Sequence, residues 1–357
     1  TDTVKKRLSR GRKLLKEAMS TFVEDGLKGT TPSVVFTTSV MAAISILAPS
    51  AKAATLTGVA AKSTSIIKLS TLATVLAVSS GLISSFFGLR AALDQSRTKR
   101  ERKLAFKVVF SFLLLAGFFV LSIWAFRHFA LIKPESALTF TVLANLIVLA
   151  YVIGNILLVR FMYKTIRTLR ARERIFESDS FKHEVDKPES KRKEFRSKYS
   201  LFGVPLFHFQ FGMPEHQDKP AFAWVAAGSQ AYGLLIAWGG IAVAPISVGI
   251  ISVGIITVGN VAIGLFATGA AALGIISFGA SAIGFKAYGS LTALGYENAT
   301  SNGFSVAKEA AIGPIAYAEH INNSIASKIG NLEVLNNHYS WVLTVIAIMV
   351  IVPSVLH

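Results

Sequence analysis

The 357 residues contain no cysteine, which excludes disulfides, thiol nucleophiles and cysteine-based metal sites. Charge is scarce: 16% of residues are charged against 52% hydrophobic, a balance too apolar for an ordinary soluble domain. From Pro220 to Phe285 there is no Asp, Glu, Lys or Arg at all. The phosphate-loop pattern GxxxxGKS/T, the nucleophile elbow GxSxG, the zinc pattern HExxH and the dinucleotide pattern GxGxxG are absent. Seven histidines (His128, His183, His208, His216, His320, His338, His357) show no metal-ligand spacing, and the eight-residue separation of His208 and His216 is not expected to make a site. Nothing argues for an enzyme: no catalytic residue, metal or cofactor is expected.

What is present is a ladder of glycines, one at every fifth position: Gly249, Gly254, Gly259, Gly264, Gly269, Gly274, Gly279, Gly284, Gly289. Two residues before each stands a small residue, from Ser247, Ser252 and Thr257 to Ala282 and Ala287, and between them runs a mostly bulky column including Val248, Val258, Ile263, Phe278 and Tyr288. A fixed period marks a repeat architecture. Five residues turn an α-helix by about 500°, so the glycines would never share a face. Period five instead suits a parallel β-helix with glycine at its corners. Fainter repeats at Ala226-Ala227-Gly228, Ala231-Tyr232-Gly233, Ala311-Ile312-Gly313 and Ala316-Tyr317-Ala318 extend it over 222–321. With four sides per coil this predicts about five coils of about twenty residues, standing about 24 Å tall. Strand alternation puts the glycine and small columns inside and the bulky residues, Val258 among them, outside. A water-soluble solenoid would alternate the other way, so the expectation is a β-helix embedded in a bilayer; the alternative is a soluble pentapeptide-type solenoid with its bulky columns inside. Lys286, in one of those columns, weighs against the latter.

Upstream, four uncharged runs are long enough to span a bilayer: 29–51, 69–89, 108–126 and 136–159. The spans at 69–89 and 137–159 carry no charged residue of the kind a transport path needs, only the polar Asn145 and Asn155 in the latter. The net charge is +17, and 28 of the 37 Lys and Arg fall in 1–28, 90–107 and 160–198. By the positive-inside rule these three stretches are cytoplasmic, which gives four crossings with a cytoplasmic N-terminus. Arg160, Lys164, Arg167, Arg170 and Arg174 recur at helical spacing, so 160–200 reads as a basic cytoplasmic helix and linker. Residues 201–212 alternate like a strand and start the β-helix segment, 201–323. Ile325, Ile329, Leu332 and Leu335 mark an amphipathic helix within 324–357, and 339–356 is a last apolar helix. Asn298-Ala299-Thr300 is a glycosylation sequon by pattern alone.

Residues 1–28 form a basic amphipathic helix with Val4, Leu8, Leu15 and Phe22 on one face, as a helix lying on anionic lipid would. The wording of DTVKKRLSRGRKLL is more specific: it resembles the recognition helix and tail of region 4 in bacterial sigma-70-type factors of the extracytoplasmic-function class. The resemblance implies that Thr3, Lys5, Lys6, Arg7 and Arg10 face DNA bases or phosphates while Val4 and Leu8 pack on the preceding helices. Recognition helices do present their N-terminal half to base edges, with Lys and Arg on phosphates. The stretches FVEDGLKGTTPSVVFTTSVMAAI, GLRAALDQSRTKRERK, AWVAAGSQAYGLLIAWGGIAVAPISVG and the closing AEHINN resemble the membrane-embedded extension that some of these factors carry. The expectation is therefore the C-terminal region of a membrane-fused sigma factor, beginning inside a larger gene product and lying in the bacterial inner membrane. Its partners would be lipid and, through the missing N-terminal part, promoter DNA and RNA polymerase. The alternative is a membrane structural or pore-like module with a basic anchor helix and no DNA role.

Overall fold

The third and fourth apolar runs are two long antiparallel helices. The computed structural model describes residues 98–176, 193–211 and 219–333, with single positions at 93, 96, 337, 338, 341, 344 and 345, all within one unit, 59–357. The basic segment 1–28, the runs 29–51 and 69–89 and most of the last apolar run lie outside the described residues.

Helix α1 (Lys99–Ile132) starts where Thr98 accepts a hydrogen bond from the Glu101 backbone N–H, a Thr-x-x-Glu start that satisfies an end N–H. It ends before Pro134, which cannot continue a helix. A single 3-10 turn, Pro134–Ser136, leads into α2 (Ala137–Phe176), which runs unbroken from the fourth apolar run through the basic stretch after it. Both helices are long and apolar enough to cross a membrane. Two such helices are found among the described residues; the count of four has no support.

Most of the other described residues form a β-solenoid of about eight turns. Its strands are β1 (Lys193–Arg196), β2 (Ser200–Leu201), β3 (Val204–Pro205), β4 (Phe207–Phe211), β5 (Ala221–Val243), β6 (Ile246–Ser301), β7 (Phe304–Val306), β8 (Ala310–Ile312), β9 (Ile315–Tyr317) and β10 (His320–Ile321). β1 pairs antiparallel to β4 at the edge of the main sheet, although it lies in the stretch expected to be linker; β2 and β3 form a separate two-stranded ribbon. From β4 onward the main sheet is parallel. The β6 chain stays extended for 56 residues while it winds. A short helix, α3 (Ser324–Ile329), follows, capped by the Asn323 side chain on the Ala326 N–H.

The register corrects the expected coil. Ile236 pairs with Ile246, Ser247 lies beside Ala237, and Gly249 beside Gly239, so one coil takes ten residues and has two sides, not four. Near the end it lengthens to twelve, Thr292 lying beside Phe304. Eight turns at about 4.8 Å stack to about 38 Å rather than 24 Å. Two sides are possible because the interior is so thin: Ser247, Ser252, Thr257, Ala262, Ala267, Ala272, Ser277, Ala282 and Ala287 are all buried, and they meet across it.

Two-sidedness splits the five-residue ladder into two stacks of alternate glycines. A β-carbon on Gly249, Gly259, Gly269 or Gly279 would collide with the carbonyl oxygen of the glycine ten residues before it; the same holds for Gly264, Gly274 and Gly284. Gly203 is the glycine with positive φ among the described residues, so the ladder glycines are required by close approach of backbones, not by a left-handed corner. The split also corrects the bulky column. Its alternate members face different surroundings, and Val258, expected outside, is 2% exposed.

Candidate functional site

Among the described residues the solenoid is docked by one long edge against the helices and bare along the other. The docked edge carries Gly240, Ile250, Asn260, Ala270 and Ala280, one per coil. Tyr163 of α2 donates its hydroxyl proton to the Ser229 carbonyl and lies over Gly240. One turn back, Val159 packs with Ile251, Ile241 and Ile250. Two turns further, Tyr151 Oη donates to Asn260 Oδ1 at 2.7 Å, Asn260 Nδ2 donates to Asn155 Oδ1 at 2.6 Å, and Asn155 Nδ2 donates to the Tyr151 carbonyl at 2.8 Å. Phe119 stacks on the Tyr151 ring. Beyond it, Ala144 and Val148 share an apolar cluster with Val261 and Ala271 that continues to Phe304 and Ile315.

These contacts run in opposite chain directions, so the coils climb α2 step by step. Twelve helical residues from Tyr163 to Tyr151 rise about 18 Å, and the three coils from Ser229 to Asn260 about 14 Å. The solenoid axis therefore lies along the helix, and the uncharged coils stand level with the uncharged part of α2.

The bare edge is apolar along that same height. Leu235, Ile255, Ile256, Leu265, Phe266, Ile275 and Phe285 are exposed, Ile275 by 52%. Rows 235 to 285 span five coil steps, about 24 Å. Tyr232 and Tyr296 are exposed at its two ends, and beyond Tyr296 the Lys308 ammonium sits over the tyrosine ring.

The two ends of the hairpin differ in charge. Where α1 begins and α2 ends, Arg100 pairs with Glu173 at 3.2 Å and Arg170 with Glu101 at 3.7 Å. Glu101, Glu173 and Arg170 are buried, while Lys103, Lys107, Arg160 and Lys164 on the same two helices are exposed. The described parts of the two basic segments, 98–107 and 160–176, thus lie toward one end. At that end of the solenoid the His208 imidazole accepts from the Phe222 N–H through Nδ1 and faces Glu194 through Nε2; His216 lies outside the described residues. At the far end Lys286 Nζ bonds the Ile329 carbonyl at 3.1 Å and pairs with Glu297 at 3.3 Å, and the Tyr288 hydroxyl donates to the Gly330 carbonyl. Together they hold α3 on the last coils. Asn298 of the sequon is fully buried and serves this packing, not glycosylation.

The DNA-facing residues expected at Thr3, Lys5, Lys6, Arg7 and Arg10 lie outside the described residues. All nine ladder glycines are in the solenoid. Sequence reasoning gave Asn260 no role and noted its partner Asn155 only as polar, although one signal exists: Asn260 is the one amide between Gly249 and Gly289. It also missed the pairing of Glu101 with Arg170, which are 69 positions apart. Among the described residues no group of acidic or histidine side chains could hold a metal ion. No family model, no curated protein and no solved structure matches this chain.

Proposed function

We propose that this chain is a membrane anchor that holds a DNA-binding transcription-initiation unit at the bacterial inner membrane, with helices and solenoid standing together in the bilayer. One observation carries the membrane part: uncharged coils climb α2 level with its apolar run, and the opposite edge is apolar over about 24 Å, close to the apolar band of a membrane barrel. A solenoid pairs its backbone groups coil to coil, which meets the demand that lipid makes on any spanning structure. The paired basic segments at one end of the hairpin favour that end as cytoplasmic. Exposed Tyr232 and Tyr296 suit the two headgroup regions, where such rings collect.

The transcription part rests on the resemblance of DTVKKRLSRGRKLL to sigma region 4, with Thr3, Lys5, Lys6, Arg7 and Arg10 toward DNA. A helix reading promoter DNA must be cytoplasmic, the side that the basic end of the hairpin favours. The buried small residues inside the solenoid leave no room for a lumen, which disfavours a pore along its axis.

The test uses the full gene product. RNA polymerase should sediment with membranes containing it, and removal of residues 29–357 should release polymerase to the soluble fraction. Membrane localisation without polymerase would leave a structural membrane module with a basic anchor helix.

A further inference from the structure

The docked edge poses a problem that repeats create for themselves. Ile251 and Val261, or Ile263, Leu273 and Ile283, recur at the same place in successive coils. Apolar packing is non-directional, so sliding the solenoid along α2 by one coil, about 4.8 Å, exchanges like for like over most of the interface. Period-matched surfaces slip where nothing specifies their register.

The first part of the column facing α2 does not repeat. The column reads Gly240, Ile250, Asn260, Ala270, Ala280, and α2 answers in reverse order. The Tyr163 hydroxyl occupies the space a β-carbon on Gly240 would need. Val159 and Ile156 cluster with Ile250. Tyr151 and Asn155, one turn apart, close a chain of three hydrogen bonds through Asn260. Asn155 is fully buried and Tyr151 nearly so.

We infer that Gly240, Ile250 and Asn260 are a register key that admits one docking position of the solenoid on α2. A slide in one direction drives Ile250 against the Tyr163 hydroxyl and sets Ala270 opposite Asn155. A slide in the other sets Ile250 there. Either way Tyr151 and Asn155 stay buried with their polar atoms unmatched, the costly outcome for such groups. A single polar residue in an apolar seam fixes coiled-coil register in the same way. The inference holds whether lipid or water surrounds the molecule, so it can fail while the membrane reading stands.

The absence of native cysteine makes the register directly readable by cross-linking in membranes containing the full chain. In the unaltered interface Val159→Cys should cross-link with Ile251→Cys and scarcely with Val261→Cys. The key is then moved one coil intact, as Ile250→Gly/Asn260→Ile/Ala270→Asn. In that background the preference should reverse, with the 159–261 product replacing the 159–251 product. Tyr151→Phe alone, which removes one hydroxyl and little volume, should raise the 159–261 product above its background level. Retention of the 159–251 product by the shifted key overturns the inference. So does loss of both products, because a key moved with its steric and polar parts together must still dock. An unchanged pattern in Tyr151→Phe counts against the polar part.

Discussion

Gly264 lies over Gly254 of the adjacent coil so closely that a β-carbon on Gly264 would sit 2.7 Å from the Gly254 carbonyl oxygen and 2.8 Å from Thr257 Cγ2. The obstacle is backbone, which has no rotamer to change. Gly264→Ala should therefore destabilise the solenoid by about 1–3 kcal/mol, the cost of overpacking a dense interior, and Gly264→Leu should prevent the coil from closing. Gly117→Ala is the control, because nothing lies within 4 Å of the added carbon on α1 and alanine is the better helix former by about 1 kcal/mol. Protease resistance of the solenoid should fall for the first pair and hold or rise for the control.

Ile275 and Val258 separate burial in protein from burial in lipid. Ile275 is on the bare edge and Val258 is enclosed. Val258→Lys should be severe in any surroundings. Ile275→Lys should cost on the order of 2–4 kcal/mol if that edge meets the bilayer near its midplane, and close to nothing in water. Folded yield in liposomes decides: an Ile275→Lys protein as stable as its parent would take the solenoid edge out of the membrane.

Glu101 and Arg170 join the start of α1 to the end of α2 from buried positions. Removing one member of a buried pair is costly, on the order of 3–5 kcal/mol. Glu101→Ala should destabilise the hairpin by that order, whereas Glu101→Leu combined with Arg170→Leu should recover much of the loss. Unfolding of the two variants in detergent measures the difference.

Lys286 and Tyr288 hold α3 through the Ile329 and Gly330 carbonyls. Tyr288→Phe removes one hydrogen bond and should cost about 1 kcal/mol; Lys286→Met also removes the pair with Glu297. Limited proteolysis should release the segment from Ser324 onward sooner in both variants, with the coils around Gly264 staying intact.

Topology offers a separate check. Cysteines at positions 97 and 180 should be shielded from an impermeant reagent added outside cells, and one at 131, near the hairpin turn, should react. Labelling at 97 from outside would reverse the proposed orientation.

Much of this architecture was legible in the residue order. A helix or strand is a local matter, and its signals are local: nineteen or more uncharged residues for α1 and α2, and a glycine ladder that no helix can use. The small column at Ser247, Ser252 and Thr257 correctly marked the interior, because alternation in a strand follows directly from chain geometry. Coil length did not follow. A period of five is equally consistent with two sides or four, and only the pairing of Ile236 with Ile246 distinguishes them. The meaning of the glycines changed with it, from corners that need unusual dihedrals to backbones that nearly touch.

Sequence by itself determined that this chain has apolar helices, a repeating β-structure with a small-residue interior, and basic segments set apart by apolar runs, because composition and period act within a few residues of chain. Only the tertiary structure decided which edge of the solenoid is covered. Val258 and Val253 hold the same place in the repeat, yet one is enclosed and the other is 36% exposed. It also decided that Asn260 has a purpose, since its partners Tyr151 and Asn155 come from a helix more than a hundred residues away. A repeat makes each coil nearly identical to the next; what breaks the equivalence is the neighbour it packs against, and that neighbour is chosen in space.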